Sequence, residues 1–452
     1  MTPVAVLIPG IMGSELRLGE EVVWPGPVSS LVFAYKKMDA LLSPDLRATG
    51  VIRSYAYFST QYDALIDDLT DLGYRETDRT LLTFPYDWRK SNESSADRLA
   101  DLLDTIPLLH GEGAEVTLVA HSMGGLIARH YLESGRFGDR PGFGRVRRLV
   151  TLGTPHRGAP LALIRILGLE KALWLSAAQI QQLTNDPRYP AAYQLLPPPS
   201  EVFGWDADPA SDLSGLDPYD REVGRALDLG PDGVEAARAF HATLDPTRRP
   251  RGVRYFCFSG TRLTTASFAK FTRNGAGYRV TKVERDGGGD GTVPFWSSTL
   301  PGVQCLAVGG EHSAIYKDRE LRRTLAALLG RPGAFGPLPF APGDPPLVDV
   351  TVREKVVDPG RQIRFTLNPG FGVAHLDGEV RVERAEALES PEPVFVPVGP
   401  PLRVRYEGPL AESIGLILDA PATSGGYRVA YYHRGVAEPT GADEFFTQQP
   451  VP

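Results

Sequence analysis

The sequence predicts an α/β fold, a mostly parallel sheet with helices on both faces, followed by an all-β sandwich. Three observations carry this. Strand-like apolar runs alternate with amphipathic helical stretches from residue 4 to about 152, which is the signature of a parallel sheet. A Pro/Gly-rich stretch then fills residues 331–346. Beyond it, apolar residues recur with period two between Gly/Pro turns. At 452 residues the chain exceeds what one core usually holds, in keeping with two domains.

In order, Val4–Ile8 reads as a strand that runs into the Gly-rich turn Pro9-Gly10-Ile11-Met12-Gly13. Residues 17–60 lack clean periodicity and read as a lid insertion rather than a sheet element. They hold Trp24 and an apolar patch, Leu31-Val-Phe33-Ala-Tyr35. Leu65, Ile66 and Leu69 share one face of a helix over 62–72, with Gly73 as its stop. Residues 81–85 form a strand. Leu99, Leu102, Leu103 and Ile106 keep helical spacing over about 94–106. Strands follow at 116–120 and 147–152. Residues 160–250 break the alternation and read as a cap insertion. Residues 254–258 and 303–308 resume the sheet, and 321–329 closes it with a helix. The expected division is therefore a catalytic domain at 1–330, a linker at 331–346 and an Ig-like β-sandwich at 347–452. In the sandwich Val348, Val350 and Val352 alternate with polar residues, as do Ile363, Phe365 and Leu367, and Tyr427, Val429 and Tyr431.

Composition narrows the function classes. The chain is 42% hydrophobic and 23% charged with a net charge of −7, and no basic cluster stands out, which excludes nucleic acid as the expected partner. Two cysteines in this length argue against a disulfide framework, and Cys257 and Cys305 lie in apolar runs, as buried free thiols do. No basic n-region with a long apolar h-region opens the sequence, and no stretch reaches the ~20 apolar residues of a membrane span. A cytoplasmic protein, at most peripheral at a membrane, is the expectation. No metal and no cofactor are expected.

The chemistry centres on Ala120-His121-Ser122-Met123-Gly124, between a strand and a helix. This small-x-Ser-x-small pattern in that context fits the nucleophile elbow of the α/β-hydrolases, where a sharp turn exposes the serine and leaves little room beside it. A hydroxyl needs a base, and the base an orienting carboxylate. The fold's order is serine, acid, histidine. His312 alone among the later histidines follows the last sheet strand. Asp290, in Asp286-Gly-Gly-Gly-Asp290-Gly-Thr-Val-Pro, precedes a β-branched pair that can fix its loop; Asp286 is the competing carboxylate. The oxyanion needs two backbone donors. Met123, next after the serine, supplies one, and Ile11, beside Gly10, the other. His121 and His156 stand next to these motifs as pocket-lining candidates.

Six ordered motifs carry a family resemblance: Pro9–Leu16, Phe84-Pro-Tyr-Asp-Trp-Arg89, Ala120–Gly125, Leu152-Gly-Thr-Pro-His-Arg-Gly158, Gly289–Pro294 and Glu311-His312. Through them, residues 1 to about 330 resemble the lecithin:cholesterol acyltransferase family of α/β-hydrolases, which includes lysosomal phospholipase A2. The resemblance implies an acyl-enzyme on Ser122, with Asp290 as acid, His312 as base and the amides of Ile11 and Met123 as oxyanion hole. It implies a lipid acyl ester, phospholipid by analogy, as substrate. It also implies a mobile, membrane-contacting lid over about 20–60, with Trp24, Leu31 and Phe33 as its binding candidates. The chain departs from the secreted and lysosomal members: no cysteine precedes Cys257, and a β-domain is appended. A small-ester esterase or thioesterase, a non-catalytic binding protein, and a lipase delivered by its β-domain to a protein partner or surface are the alternatives.

Overall fold

A computed structural model describes residues 2–27, 32–55, 59–208, 214–335, 347–369, 372–388, 390 and 393–449. Its centre is a six-stranded, all-parallel sheet of β1 (Pro3–Ile8), β2 (Leu81–Thr83), β3 (Glu115–His121), β4 (Val146–Leu152), β5 (Arg254–Gly260) and β6 (Gln304–Val308), in the order β6-β5-β4-β3-β1-β2. Both faces are buried, as a parallel sheet requires. Along β1, Val4, Val6 and Ile8 enter one core, and Ala5 and Leu7 the other. Helices Asn92–His110 and Met123–Glu133 cover the first face, Asp63–Asp71 and Arg319–Leu328 the second.

Two regions differ from the sequence reading. Residues 14–51 do form strands: Ser14–Leu18, Glu21–Trp24 and Arg47–Val51 pair antiparallel with one another, apart from the central sheet. Register shifts in both pairings break the alternation that would have betrayed them. The second region follows β5. Leu263–Asn274 and Gly277–Gly289 make a long antiparallel hairpin with three register shifts, which again hide the period of two.

The carboxyl-terminal strands form two sheets. Val348–Val352, Gln362–Pro369 and Ile414–Asp419 make one; the other is built around Val373–Glu386, Gly425–His433 and Gly441–Thr447. The alternating residues of 348–352, 363–367 and 427–431 all point into a common core. The Pro/Gly stretch lies mostly outside the described residues. The two parts of the chain share apolar surface as well: Val356, Ala385 and Phe446 belong to the same buried cluster as Trp88 and Trp174. Both cysteines are free, and among the described residues no helix is long and apolar enough to cross a membrane.

Candidate active site

Register brings the motifs together. Ile8 of β1 pairs with Ala120 of β3, His121 of β3 with Leu152 of β4, Leu152 with Phe258 of β5, and Gly260 with Val308 of β6. The strands therefore end at one edge, and the loops that follow them meet there, where ligands bind in such folds.

Ser122 sits at φ 51°, ψ −127°, a backbone conformation a non-glycine residue holds only under constraint. The constraint is visible in its neighbours. A Cβ on Gly124 would come within 2.5 Å of the Pro9 carbonyl oxygen, and one on Gly10 within 2.8 Å of the Ser122 Cβ. The crowding that selects small residues thus comes from the loop after β1. Ala120, which shares the pattern, is fully buried within β3.

His312 Nε2 lies 2.8 Å from Ser122 Oγ, and His312 Nδ1 lies 2.7 Å from Asp290 Oδ2. Asp290 is fully buried. Its Oδ1 accepts from the amides of Thr292 (3.0 Å) and Val293 (2.7 Å), and its own carbonyl accepts from the His312 amide (2.9 Å). These bonds fix the carboxylate and hold the imidazole with Nδ1 toward it. Asp286 is elsewhere: it is exposed on the hairpin, where its carboxylate accepts from Ser267 Oγ and the Gly288 amide. Burial works against a charged His312, but Asp290 and then Glu311 outweigh it and hold its pKa above the ordinary imidazole value. Glu311 is itself pushed up to about 7 by burial, against the hydrogen bond from Ser313.

A second hydrogen-bond line, which the sequence reading missed, ties three loops together. The Gly10 amide donates to Tyr62 Oη (2.8 Å), and Tyr62 Oη lies 2.6 Å from His121 Nδ1. His121 Nε2 lies 2.9 Å from the carbonyl oxygen of His312. The carbonyl can only accept, so the proton is assigned to Nε2, and Tyr62 donates to Nδ1. His121 is held neutral, its pKa lowered to about 3 by burial and then by His312. The Gly10 amide is engaged by Tyr62, and the next residue along the loop, Ile11, belongs to the cavity wall. Met123 is the first residue of its helix, so its amide is not used by the helix ladder.

The Phe84–Arg89 motif locks the loop from behind. Tyr86 Oη donates to the Pro9 carbonyl (2.9 Å). Arg89 grips Asp87 through Nε (2.8 Å) and Nη2 (2.7 Å), and donates to the carbonyls of Leu41 and Ser43. This buried pair anchors the middle of the 17–60 segment, at Leu41 and Ser43. A paired aspartate and arginine two residues apart, just after a strand, was the available signal.

The remaining candidates fall in different places. Trp24 is fully buried behind Trp88, ring centroids 5.2 Å apart, and donates to the Met12 carbonyl; it supports the wall and does not line it. His156 is also interior, within reach of Thr151 Oγ1 (3.1 Å) and Cys257 Sγ (3.5 Å), because it turns back under the sheet after β4. Phe33 is 51% exposed and away from the cavity wall. Leu31 lies outside the described residues. His121 does line the cavity.

That cavity, of about 590 Å³, opens over Ser122 and His312. Its apolar wall includes Trp88, Leu161, Ile166, Leu173, Ile180 and Leu183. Its opposite wall comes from the β-domain, through Arg353–Val356 and Asp358. Lys171 and Asp358 close the seam with an ion pair at 2.6 Å, and Trp174 packs edge-on against Phe446. Among the described residues no cluster of side chains could hold a metal ion.

A sequence model of the family described as "Lecithin:cholesterol acyltransferase" matches residues 42–211. The chain has the α/β-hydrolase fold, and over residues 42–211 it is similar to that family. The match spans Ser122 and ends before Asp290 and His312. The fold is similar to one in the crystal structure of a Tle4–Tli4 complex, with a TM-score of 0.50 and 17% identity over 75% of this chain and 100% of that one. Two further similar structures are the mature lipase BlEst2 of Bacillus licheniformis (TM-score 0.36, 17% identity, 73% of this chain and 92% of that one) and the phospholipase PlaB of Legionella pneumophila (0.30, 11%, 99% and 90%). No curated protein matches the chain.

Proposed function

We propose that this protein is a serine-dependent lipid acyl-ester hydrolase or acyltransferase. The observation that carries the reading is the unbroken hydrogen-bonded line Asp290–His312–Ser122 at the floor of a largely apolar cavity. Ser122 attacks the ester carbonyl, and His312 takes its proton and returns it to the departing alcohol. Asp290 holds the tautomer and steadies the imidazolium. The amides of Ile11 and Met123 receive the oxyanion. Water or an alcohol acceptor then resolves the acyl-enzyme. The apolar wall takes the acyl chain, and Leu169, 48% exposed at the cavity's rim, meets the lipid surface.

The test is a fluorophosphonate probe followed by intact mass. One adduct is expected on the wild type and none on Ser122→Ala. Turnover should rise with acyl length from butyryl to myristoyl esters. Labelling that persists in the variant overturns the assignment, and a preference for butyryl esters returns the chain to the small esterases.

A further inference from the structure

The cavity over Ser122 has a larger neighbour. A second cavity, of about 1160 Å³, also lies in the seam between the α/β domain and the β-domain. One wall holds Asp68, Thr264 and the Gly309–Glu311 turn after β6; the other holds Thr351, Arg364 and Thr366 of the β-domain. The charges of its lining pair with one another: Asp68 with Arg322 at 2.6 Å, and Arg262 with Glu412 at 3.2 Å. A polar space of this size, with its charges already matched, suits water and selects no ion.

Among the described residues the two cavities share two side chains, Glu311 and Arg353. The loop that carries the base is therefore part of the partition. Gly309, Gly310 and Glu311 line the second cavity, and Glu311, His312 and Ser313 line the first. Glu311 is the fixed half: it is buried, and its carboxylate accepts from the Ser313 amide at 2.9 Å. Arg353 is the looser half. It donates to the Thr264 carbonyl, and the carboxylate beside it, Glu354, stands 3.8 Å away. A Cβ on Gly291 would stand 3.9 Å from Arg353 Nε, which puts the guanidinium beside the loop of Asp290. On the first side Arg353 shares the wall with Arg165 of the cap helix Pro160–Ile166.

The chemistry needs water at the floor only in its second half. An acyl chain lying along Trp88, Leu161 and Ile166 fills the first cavity and keeps water out on that side. Release of the acyl group then needs one water within reach of both His312 Nε2 and the acyl carbonyl. We propose that this water enters from the second cavity, past Arg353, and not along the acyl chain. The proposal rests on the acyl-ester reading above and names the source of its second nucleophile. The water oxygen bonds to the acyl carbon while His312 Nε2 takes its proton. The bond from that carbon to Ser122 Oγ then breaks, His312 returns the proton to Oγ, and the carboxylic acid leaves. The β-domain supplies one wall of the conduit, and so takes part in turnover without touching the ester.

The experiment uses the full chain and p-nitrophenyl N-decylcarbamate. This probe leaves an alkyl-carbamyl group on the serine, which water removes slowly enough to follow by intact mass. Thr264→Trp and Thr351→Trp plug the second cavity from opposite walls, and neither residue lines the first. Carbamylation of both variants should stay within about twofold of the wild type, while loss of the adduct should slow about tenfold. Arg353→Ala takes bulk out of the partition and should speed that loss about threefold. Plugged variants that carbamylate normally and recover at the wild-type rate overturn the proposal. Should neither plugged variant carbamylate, Arg353→Ala decides alone: faster recovery supports the route, and an unchanged or slower one overturns it. A wild type that takes no carbamyl group on Ser122 overturns the acyl-ester reading, and the water route falls with it.

Discussion

The floor of the cavity and its far wall are built in opposite ways. The floor comes from loops that meet at the carboxyl edge of the parallel sheet, and hydrogen bonds among Gly10, Tyr62, His121, Ser122, Asp290 and His312 tie it together. The far wall is a seam between a cap helix, a hairpin and a second domain, held by apolar contact and half-exposed ion pairs such as Lys171–Asp358. The floor suits chemistry, which needs fixed geometry. The wall suits selection, because side chains there can change without disturbing the sheet.

The largest expected effect breaks the floor. Asp290→Asn should lower kcat roughly three to four orders of magnitude, because asparagine can donate to Nδ1 and turn the imidazole to the wrong tautomer. Steady-state hydrolysis of a soluble ester measures it. A loss of less than tenfold would mean that Asp290 does not orient His312. The fold should survive, since Asn keeps an oxygen for the amides of Thr292 and Val293.

Next comes the seam. Phe446 is fully buried, far along the chain from Trp174, and still shares its cluster. Phe446→Ala should destabilise the protein by about 3–5 kcal/mol and raise KM for long-chain esters, with the acid limb of the pH profile unmoved. Denaturant melts and chain-length series check both. Two separate transitions in the wild type, only one of them shifted by the variant, would show that the β-domain merely rides on the α/β domain.

These two regions also differ in how far the sequence discloses them. Ser122 and His312 could be read because each follows a strand of the parallel sheet, and such a strand announces itself by an apolar run; Asp290 could be read because it lies between the last two of those strands in chain order. Asp290 was separated from Asp286 only by the ordered pair after it, and the fold gives the reason: Thr292 and Val293 present their amides to its carboxylate. The strands of 14–51 and the 263–289 hairpin were not legible, since bulges erase their period. Arg165 and Arg353 carried no signal at all. They lie 188 positions apart, and only the packing of two domains puts them on one cavity. Trp24 was named as a binding candidate of the lid, yet it packs behind Trp88.

Tyr62 probes a smaller term within the floor. Tyr62→Phe keeps the ring and removes the hydroxyl that serves both the Gly10 amide and His121 Nδ1. Two buried groups lose their partner, at a cost of about 1–3 kcal/mol in stability. The Gly10 loop would also relax toward the oxyanion, so kcat should fall about tenfold with KM nearly constant. A melting shift without any change in kcat would assign Tyr62 to the fold alone.

The smallest effect is electrostatic and tests whether Glu311 links the two regions. It neighbours His312 in sequence, lines the cavity and feels the charge of Lys355 across the seam. As an anion it helps hold the His312 pKa up. The base works only when neutral, so the acid limb of kcat/KM should lie above the ordinary imidazole value, and Glu311→Gln should move it to lower pH. Stability gives an independent sign. Glu311 has a folded pKa of about 7, above the ordinary 4.5, so the folded state favours the protonated acid. Below pH 4.5 both states hold the proton and Glu311 exerts no penalty. Between 4.5 and about 7 the penalty grows as the unfolded chain ionises first, and above 7 it is complete. Glu311→Gln should therefore stabilise the protein more at pH 8 than at pH 4, by thermal melts in matched salt. A gain equal at both pH values would mean that the residue acts through packing, and an acid limb that stays in place would remove its influence on the base.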